Sequence, residues 1–235
     1  MDYPILFFHG TPGNDDQAYL FRPFSFTKII TWERGKPIPY KEPAHLLALS
    51  GGGPYALEYA RLHPGLARSL TLWSALTEPG KGDFFPGPVI RAILNVLGRR
   101  TLRKRPSWVW RKWLDANASS REVYDQAVDD HRSRIMFWNL LKSLIPLRMT
   151  TQLKMEIEYL THYEYRNGPI HLPTYIVHDE QDKNVPISNA ENIQEHLTNV
   201  VKFTRLNSTG HICFFGTEAQ NALKDWSDWI MTDPN

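Results

Sequence analysis

The stretch that decides the fold is residues 46–60, LLALSGGGPYALEYA, where a short apolar run meets a serine, three glycines and a helical pattern. An apolar strand that enters a sharp small-x-Ser-x-small turn and continues as a helix is typical of a nucleophile elbow. Ala48 and Gly52 are small enough for the strand and the helix to pass close together. We therefore predict that Ser50 presents its hydroxyl above the sheet, beside a helix N-terminus that favours negative charge.

The same glycines could also form a flexible loop or a turn that cradles phosphate. A Walker loop requires Gly-Lys-Ser/Thr, and the stretch does not contain that triplet. The dinucleotide fingerprint G-x-G-x-x-G fails because Ala56 stands where the third glycine is needed. Whether this stretch is a nucleophile elbow therefore has to be judged with the motifs that follow it in the chain.

The composition is that of an ordinary globular protein. The chain has 235 residues, of which 42% are hydrophobic and 22% charged, with a formal net charge of +2. These values fit one domain, or one domain with an insertion. One cysteine, Cys213, excludes an internal disulfide framework and indicates a reducing compartment. The first residues, MDYPILFFHG, lack the basic region and the long apolar run of a signal peptide or membrane span, so we expect a cytoplasmic protein without stable membrane anchoring.

Strand and helix patterns alternate at both ends of the chain, which predicts a parallel sheet covered by helices. Strands are predicted at residues 4–8, 27–32, 44–49, 66–74, 173–178 and 201–206, and helices at 14–21, 52–63, 188–197 and 217–230. The connection at 33–43 contains three prolines, so an extended link without a helix is expected there.

The middle of the chain has a different character. Helical spacing without a strand pattern is found at 89–97, 108–114, 121–142 and 152–163, and Lys and Arg outnumber Asp and Glu in this block by 16 to 10. We predict an α/β core at 1–77 and 169–235 and a helical cap at 78–168. A block inserted after a strand would lie over the carboxyl ends of the strands, where open α/β sheets bind ligands.

Two further polar groups follow strands at the same rim as Ser50. One predicted strand runs into residues 179–186, DEQDKNVP, and the next runs into residues 207–211, NSTGH. The chain order Ser50, Asp182, His211 is the order Ser, acid, His of a catalytic triad. In that arrangement His211 would accept the serine proton, and Asp182 would orient and stabilise the imidazole.

An oxyanion hole is predicted next to the serine. Its donors would be the backbone amides of Gly51 and Thr11. His9 is predicted to hydrogen-bond the backbone of its own loop and so to shape the loop that carries Thr11. Asp179 is a rival for the role of the acid, and we prefer Asp182.

These motifs resemble those of the α/β-hydrolase superfamily, in particular its serine esterase-like members with an HG-x-P-G loop and an S-G-G-G-P-Y-A elbow. The matching pieces are HGTPG at 9–13, SGGGPYALEYA at 50–60, VHDEQDKNVP at 177–186 and GH at 210–211, with a further likeness at 146–156, which leads back from the cap. The resemblance implies Ser50, Asp182 and His211 as nucleophile, acid and base. It also places Asp179 at a turn position where the family has glycine.

The chain departs from the family pattern in its first half. Ala48 replaces the first glycine of the elbow, only three residues precede the first strand in place of a hairpin, and the helix before the elbow strand is missing. The chain therefore resembles a family member that is shortened at its N-terminal side.

The motifs and the resemblance together predict a serine hydrolase that cleaves a carboxylic ester or a related acyl bond through an acyl-enzyme. The expected partner is a small-molecule ester or acyl substrate, with no nucleic acid, no cofactor and no metal, and the oligomeric state is left open. One alternative is an inactive shortened relative that acts as a binding protein. Another is a serine aminopeptidase that reads a free amino terminus with a cap carboxylate, for which Glu156, Glu158 and Glu164 are candidates.

The stretch 99–113, RRTLRKRPSWVWRKW, contains seven basic residues and three tryptophans. Such a stretch can bind phosphates and stack bases, or lie at a membrane surface. We favour a cap helix whose tryptophans line the pocket or pack on the sheet while its arginines face solvent. Cys213 is predicted to be a small core residue.

Overall fold

The computed structural model describes residues 3–11, 13, 15–21, 28–32, 41–78, 107–143 and 151–234 of the chain. The helix predicted at 89–97, most of the proline-rich connection and the basic residues 99–106 lie outside these ranges.

Within the described ranges, six parallel strands form one sheet in the order β2-β1-β3-β4-β5-β6. The strands are β1 Ile5–Phe8, β2 Ile29–Thr31, β3 Ala44–Leu49, β4 Ala67–Trp73, β5 Thr174–Asp179 and β6 Val200–Leu206. All the strand pairings are parallel. Each strand lies within two residues of its predicted bounds, so the predicted sheet is confirmed.

Seven α-helices are found in the described ranges. They are α1 Gly53–Leu62, α2 Ser107–Asn117, α3 Arg121–Asp129, α4 His131–Ser143, α5 Thr151–His162, α6 Ser188–Ile193 and α7 Thr217–Ile230, with 3-10 helices at Asp15–Phe21, Ser50–Gly52 and Gln194–His196. The helix predicted at 14–21 is therefore a 3-10 helix, and the one predicted at 188–197 changes from α to 3-10 geometry after Ile193.

Strand β3 shows why helices cover both faces of the sheet. All of its residues are buried, and side chains alternate between the two faces of a strand. Leu46 and Ala48 belong to the core that includes α1 and α6. Leu47 and Leu49 belong to a second core with the first 3-10 helix and α7. A continuous apolar run in the sequence therefore corresponds to a strand that is buried on both sides.

The helices α2 to α5 lie between β4 and β5 in the chain, and α2, α3 and α4 share a third core with Ile212. Trp110 and Trp113 pack against Phe137 of α4, with ring centroids 5.1 to 5.3 Å apart. Trp110 is buried, whereas Trp108 is 47% exposed. Trp110 therefore packs inside the helical block, whereas the sequence analysis expected the tryptophans of the basic stretch to line the pocket or pack on the sheet.

The prediction of a single helix at 121–142 is wrong, because the structure has two helices separated by Asp130. This residue is extended, at φ −71° and ψ 106°, and its Oδ2 accepts a 2.6 Å hydrogen bond from the backbone amide of Ser133. An aspartate that accepts from the third residue along is a helix N-cap. Helical periodicity continues across such a cap, which explains why the apolar spacing did not reveal the break.

Candidate active site

Ser50 lies in the turn between β3 and α1. Its φ is 48°, a conformation that residues other than glycine rarely adopt, and the side chain is 8% exposed. A Cβ atom added at Gly52 would lie 2.1 Å from the carbonyl oxygen of Phe8, and one added at Gly53 equally close to that of Leu76. The strained serine and the tight approach of neighbouring backbone are the features of the elbow that the sequence predicted.

A continuous series of contacts leads away from the serine. Ser50 Oγ lies 3.5 Å from His211 Nε2, and His211 Nδ1 lies 2.8 Å from Asp182 Oδ2. Because an ionised carboxylate can only accept hydrogen bonds, Nδ1 carries the proton towards Asp182 and Nε2 is free to accept one from the serine. The structure therefore brings these three residues together in the order in which the sequence analysis paired them.

The turn after β5 fixes the carboxylate of Asp182. Its second oxygen, Oδ1, accepts hydrogen bonds of 2.9 Å from the backbone amides of Asn184 and Val185. The side chain of Asp182 is fully buried, while that of His211 is 21% exposed. One oxygen is thus held by the turn while the other faces the imidazole.

Charge and burial oppose each other in this pair. Burial alone would raise the pKa of Asp182, but the positive charge of His211 and the hydrogen bond to it hold that pKa below its usual range. Burial alone would lower the pKa of His211, but the Asp182 carboxylate reverses this effect and raises it. The aspartate therefore stays ionised, and the imidazole is a stronger base than an ordinary histidine.

A second histidine, His178, lies behind the acid. Its Nε2 donates a 2.7 Å hydrogen bond to the carbonyl oxygen of Val185 and lies 3.9 Å from Asp182 Oδ2. Burial lowers its pKa, so this imidazole is neutral. The sequence analysis did not pair His178 with the acid, so this contact was missed.

The loop after β1 packs directly against the turn of the serine. A Cβ atom added at Gly51 would lie 2.5 Å from Thr11 Oγ1, so Thr11 and Gly51 are immediate neighbours. The amide of Gly10 donates to Gln17 Oε1 at 2.7 Å, and His9 Nδ1 donates to the carbonyl oxygen of Gly10 at 3.0 Å. The predicted contact of His9 with its own loop is thus observed.

Glu156 of α5 reaches this loop. Its Oε1 accepts a 2.6 Å hydrogen bond from the hydroxyl of Thr11, and the side chain is 5% exposed. Glu158 and Glu164, the other two glutamates considered from the sequence, are exposed. The sequence could not distinguish the three, because the contact joins residues 145 positions apart.

The described ranges show neither a cluster of metal-ligating side chains nor a membrane-spanning helix. No group of three or more His, Cys, Asp or Glu side chains is arranged to hold a metal ion there. Among the helices described, none combines the length and the apolar character needed to cross a membrane.

Comparison with known proteins gave one related sequence and many related structures. No model of a known protein family matches the chain. An uncharacterized hydrolase of Bacillus subtilis (strain 168), YcgS, is 25% identical over 192 residues. The match covers 76% of this chain and 65% of that protein, so the chain spans somewhat less than two thirds of the length of its relative.

The structural similarities cover nearly the whole chain. An alpha/beta hydrolase fold protein from Nakamurella multipartita superposes with a TM-score of 0.69 at 18% identity, covering 96% of this chain and 91% of the other. A thermophilic esterase from Thermogutta terrifontis superposes with a TM-score of 0.63 at 15% identity, covering 100% and 92%. At these identities the similarity is one of fold.

Proposed function

We propose that the chain, which has the α/β-hydrolase fold, is a serine hydrolase that cleaves a carboxylic ester or a related acyl bond. One observation carries the proposal, the series of contacts from Ser50 through His211 to Asp182 at the carboxyl ends of three strands. The relative from Bacillus subtilis, which is named a hydrolase, supports the same class of reaction.

In the proposed reaction Ser50 Oγ attacks the acyl carbon while His211 Nε2 accepts its proton. The bond from the acyl carbon to the leaving oxygen then breaks, and His211 returns the proton to the departing alcohol. Water attacks the resulting acyl-serine and gives its proton to His211. The carboxylic acid leaves as the proton returns to Ser50 Oγ.

Asp182 would stabilise the imidazolium that forms in each step. Its carboxylate is buried, ionised and fixed by two backbone amides, so it needs no rearrangement when the positive charge appears. The amides of Gly51 and Thr11 are the proposed oxyanion hole, supported by the direct packing of these two residues beside Ser50. Both groups are then preorganised for charge that develops in the transition state.

We further propose that the helices between β4 and β5 form a cap, at 78–168, over a core of 1–77 and 169–235. Two contacts support this division. Glu156 of α5 binds Thr11 of the oxyanion loop, and Asn117 at the end of α2 accepts a 2.6 Å hydrogen bond from Asn184 of the acid loop. Helices that contact both loops are placed to shape the substrate pocket. A small-molecule substrate, the absence of nucleic acid and a cytoplasmic location remain predictions.

One observation favours a second candidate, an aminopeptidase. Glu156 is a buried carboxylate within one hydrogen bond of Thr11, and a carboxylate in that position attracts a cationic amino terminus. The same triad would cleave an amide in place of an ester.

Turnover of matched substrates tests these proposals. We expect wild-type protein to hydrolyse p-nitrophenyl acetate and butyrate, and Ser50→Ala to lose this activity while remaining folded. Ser208→Ala is the matched control, since Ser208 is a half-buried serine of the histidine loop whose hydroxyl donates to Glu218. Faster turnover of aminoacyl p-nitroanilides than of esters would favour the aminopeptidase. A folded wild-type protein without turnover of either kind would contradict both, and would favour a binding protein.

A further inference from the structure

We infer that Asp179, the last residue of β5, is a positioning residue that ties the loop carrying Asp182 to the loop carrying His211. The catalytic consequence of this inference rests on the proposed function, whereas the contacts themselves do not.

The regular pairing of the sheet ends before it reaches the histidine. Asp179 pairs with Leu206, and the last backbone hydrogen bond there is the 2.8 Å contact from the amide of Glu180 to the carbonyl of Leu206. His211 lies five residues further along. Backbone pairing alone therefore does not set the position of the histidine, and side chains must do so.

The carboxylate of Asp179 continues the connection beyond the sheet. Its Oδ2 accepts from the amide of Thr209 at 2.8 Å and from the hydroxyl of Thr209 at 2.7 Å. Its Oδ1 accepts from the amide of Gln181 at 2.7 Å, and its carbonyl oxygen accepts from the amide of Asp182 at 3.2 Å. One residue thus binds the histidine loop with its side chain and the acid loop with both its side chain and its backbone.

These bonds are made where solvent cannot replace them. Asp179 and Thr209 are both fully buried. If the carboxylate were removed, the amide of Thr209 would lose its acceptor, and the hydroxyl would keep only the carbonyl oxygen of Gly210 at 3.3 Å. The loss of an acceptor is costly for a buried donor. The histidine loop would then have to move to find new partners.

The residue between Thr209 and His211 transmits the constraint. Gly210 has φ +62°, and a Cβ atom added there would lie 2.4 Å from the carbonyl oxygen of Asn117 in α2. The short segment before His211 is therefore held by Asp179 on one side and packed against α2 on the other. A shift at Thr209 passes directly to the imidazole.

The same loop supplies a matched comparison. Glu218 accepts hydrogen bonds from the amide of Asn207 and from the hydroxyl of Ser208, at 2.9 and 2.8 Å. It therefore makes the same kinds of bond as Asp179, but it is exposed and binds the part of the loop further from His211. Loss of the Glu218 carboxylate should loosen the loop at its start and leave the histidine in place.

The test uses the imidazole proton of His211, which nuclear magnetic resonance detects whether or not the protein is an enzyme. A proton shared between His211 Nδ1 and Asp182 gives a far-downfield signal, assigned by its absence in His211→Gln. We expect the signal in wild type and Glu218→Ala and its loss in Asp179→Ala. Asp179→Asn keeps an oxygen that can accept hydrogen bonds from Thr209, so this variant should retain the signal. Thr209→Val removes only the hydrogen bond of the hydroxyl and should weaken the signal. If Asp179→Ala does not fold, Thr209→Val tests the role of Asp179 in its place.

The labelling rate of Ser50 by a fluorophosphonate provides the second readout. We expect a fall of roughly 10- to 100-fold in Asp179→Ala, the size of effect that a small misplacement of a catalytic group produces. In Glu218→Ala the rate should stay within about twofold of wild type, as expected for a surface substitution away from the reacting groups.

The two readouts, the imidazole proton signal and the labelling rate, test the inference and the proposed function separately. A wild-type protein that is not labelled contradicts the proposed function, and the imidazole signal still decides the role of Asp179. An unchanged signal in folded Asp179→Ala, equal loss in Glu218→Ala, or no signal in wild type overturns the inference.

Discussion

His211 Nδ1 lies 2.8 Å from Asp182 Oδ2, although the two residues are 29 positions apart and follow different strands. They meet because β5 and β6 are parallel neighbours, so the loops after both strands leave the sheet at the same edge. The contact lowers the pKa of the aspartate and raises that of the histidine. It therefore determines how the proposed activity should depend on pH.

The first prediction concerns this pH dependence. A general base must be neutral, so kcat/KM should be highest above the pKa of His211 and fall as the pH drops through it. Because Asp182 raises that pKa, the fall should begin at a higher pH than it would with an ordinary histidine. Asp182→Asn removes the negative charge, lowers the pKa of His211 and should move the fall to lower pH.

The same variant should lower the plateau value of kcat by roughly a thousandfold to ten-thousandfold, as the loss of a triad aspartate does in serine proteases. A pH profile from about pH 5 to about pH 9 checks both effects. Glu180→Gln is the control, since Glu180 is an exposed carboxylate of the same loop. A profile of Asp182→Asn that coincides with that of wild type would contradict the proposed roles.

The second prediction concerns the close approach behind the serine. Gly52→Ala should destabilise the protein by about 2–4 kcal/mol, because the new Cβ atom would lie 2.1 Å from the backbone oxygen of Phe8, which cannot rotate away. Gly65→Ala should not destabilise it, since no atom lies within 4 Å of a Cβ added there. Urea unfolding of both variants measures the difference. Equal midpoints would show that the turn has more room than the structure gives it.

The third prediction concerns the break between α3 and α4. Asp130→Ala removes the N-cap of α4 and the carboxylate to which the Tyr19 hydroxyl donates at 3.1 Å. We expect a loss of about 1–2 kcal/mol in the free energy of unfolding. Asp129→Ala, one residue earlier and exposed, should cost less than about 0.5 kcal/mol. Similar losses in the two variants, measured by thermal unfolding, would contradict the capping role.

The fourth prediction concerns Cys213. The side chain is fully buried, and burial raises the pKa of its thiol to about 12. At about pH 8 the reactive thiolate is therefore roughly a thousandfold less populated than in an exposed cysteine. Native protein should react slowly with a thiol reagent, and protein unfolded in urea should react at the ordinary rate. Rapid modification of the native protein would indicate that the segment after His211 opens readily.

Much of the fold could be predicted from the sequence, because local patterns determine it. A continuous apolar run closed by glycine and proline marked β1, the alternation of strand and helix patterns marked the other strands, and the small residues around Ser50 marked the elbow. Asp182 and His211 were found because both follow parallel strands, whose carboxyl ends share one edge of the sheet.

The rest depends on contacts that no local pattern reveals. The bond between Glu156 and Thr11 joins residues 145 positions apart, and the carboxylate of Asp179 reaches a threonine 30 positions away. From the sequence Asp179 was a rival acid or a turn residue, and its hydrogen bonds to Thr209 could not be foreseen. Such partners are set by tertiary packing, so only the structure identifies them.

The most direct test of the central claim is to locate the covalent adduct of the protein with a fluorophosphonate. Labelled protein is digested, and mass spectrometry identifies the modified peptide and residue. The proposed function predicts one adduct on Ser50, absent in Ser50→Ala and strongly reduced in His211→Ala. An adduct on another residue, or none in protein shown to be folded, would contradict it.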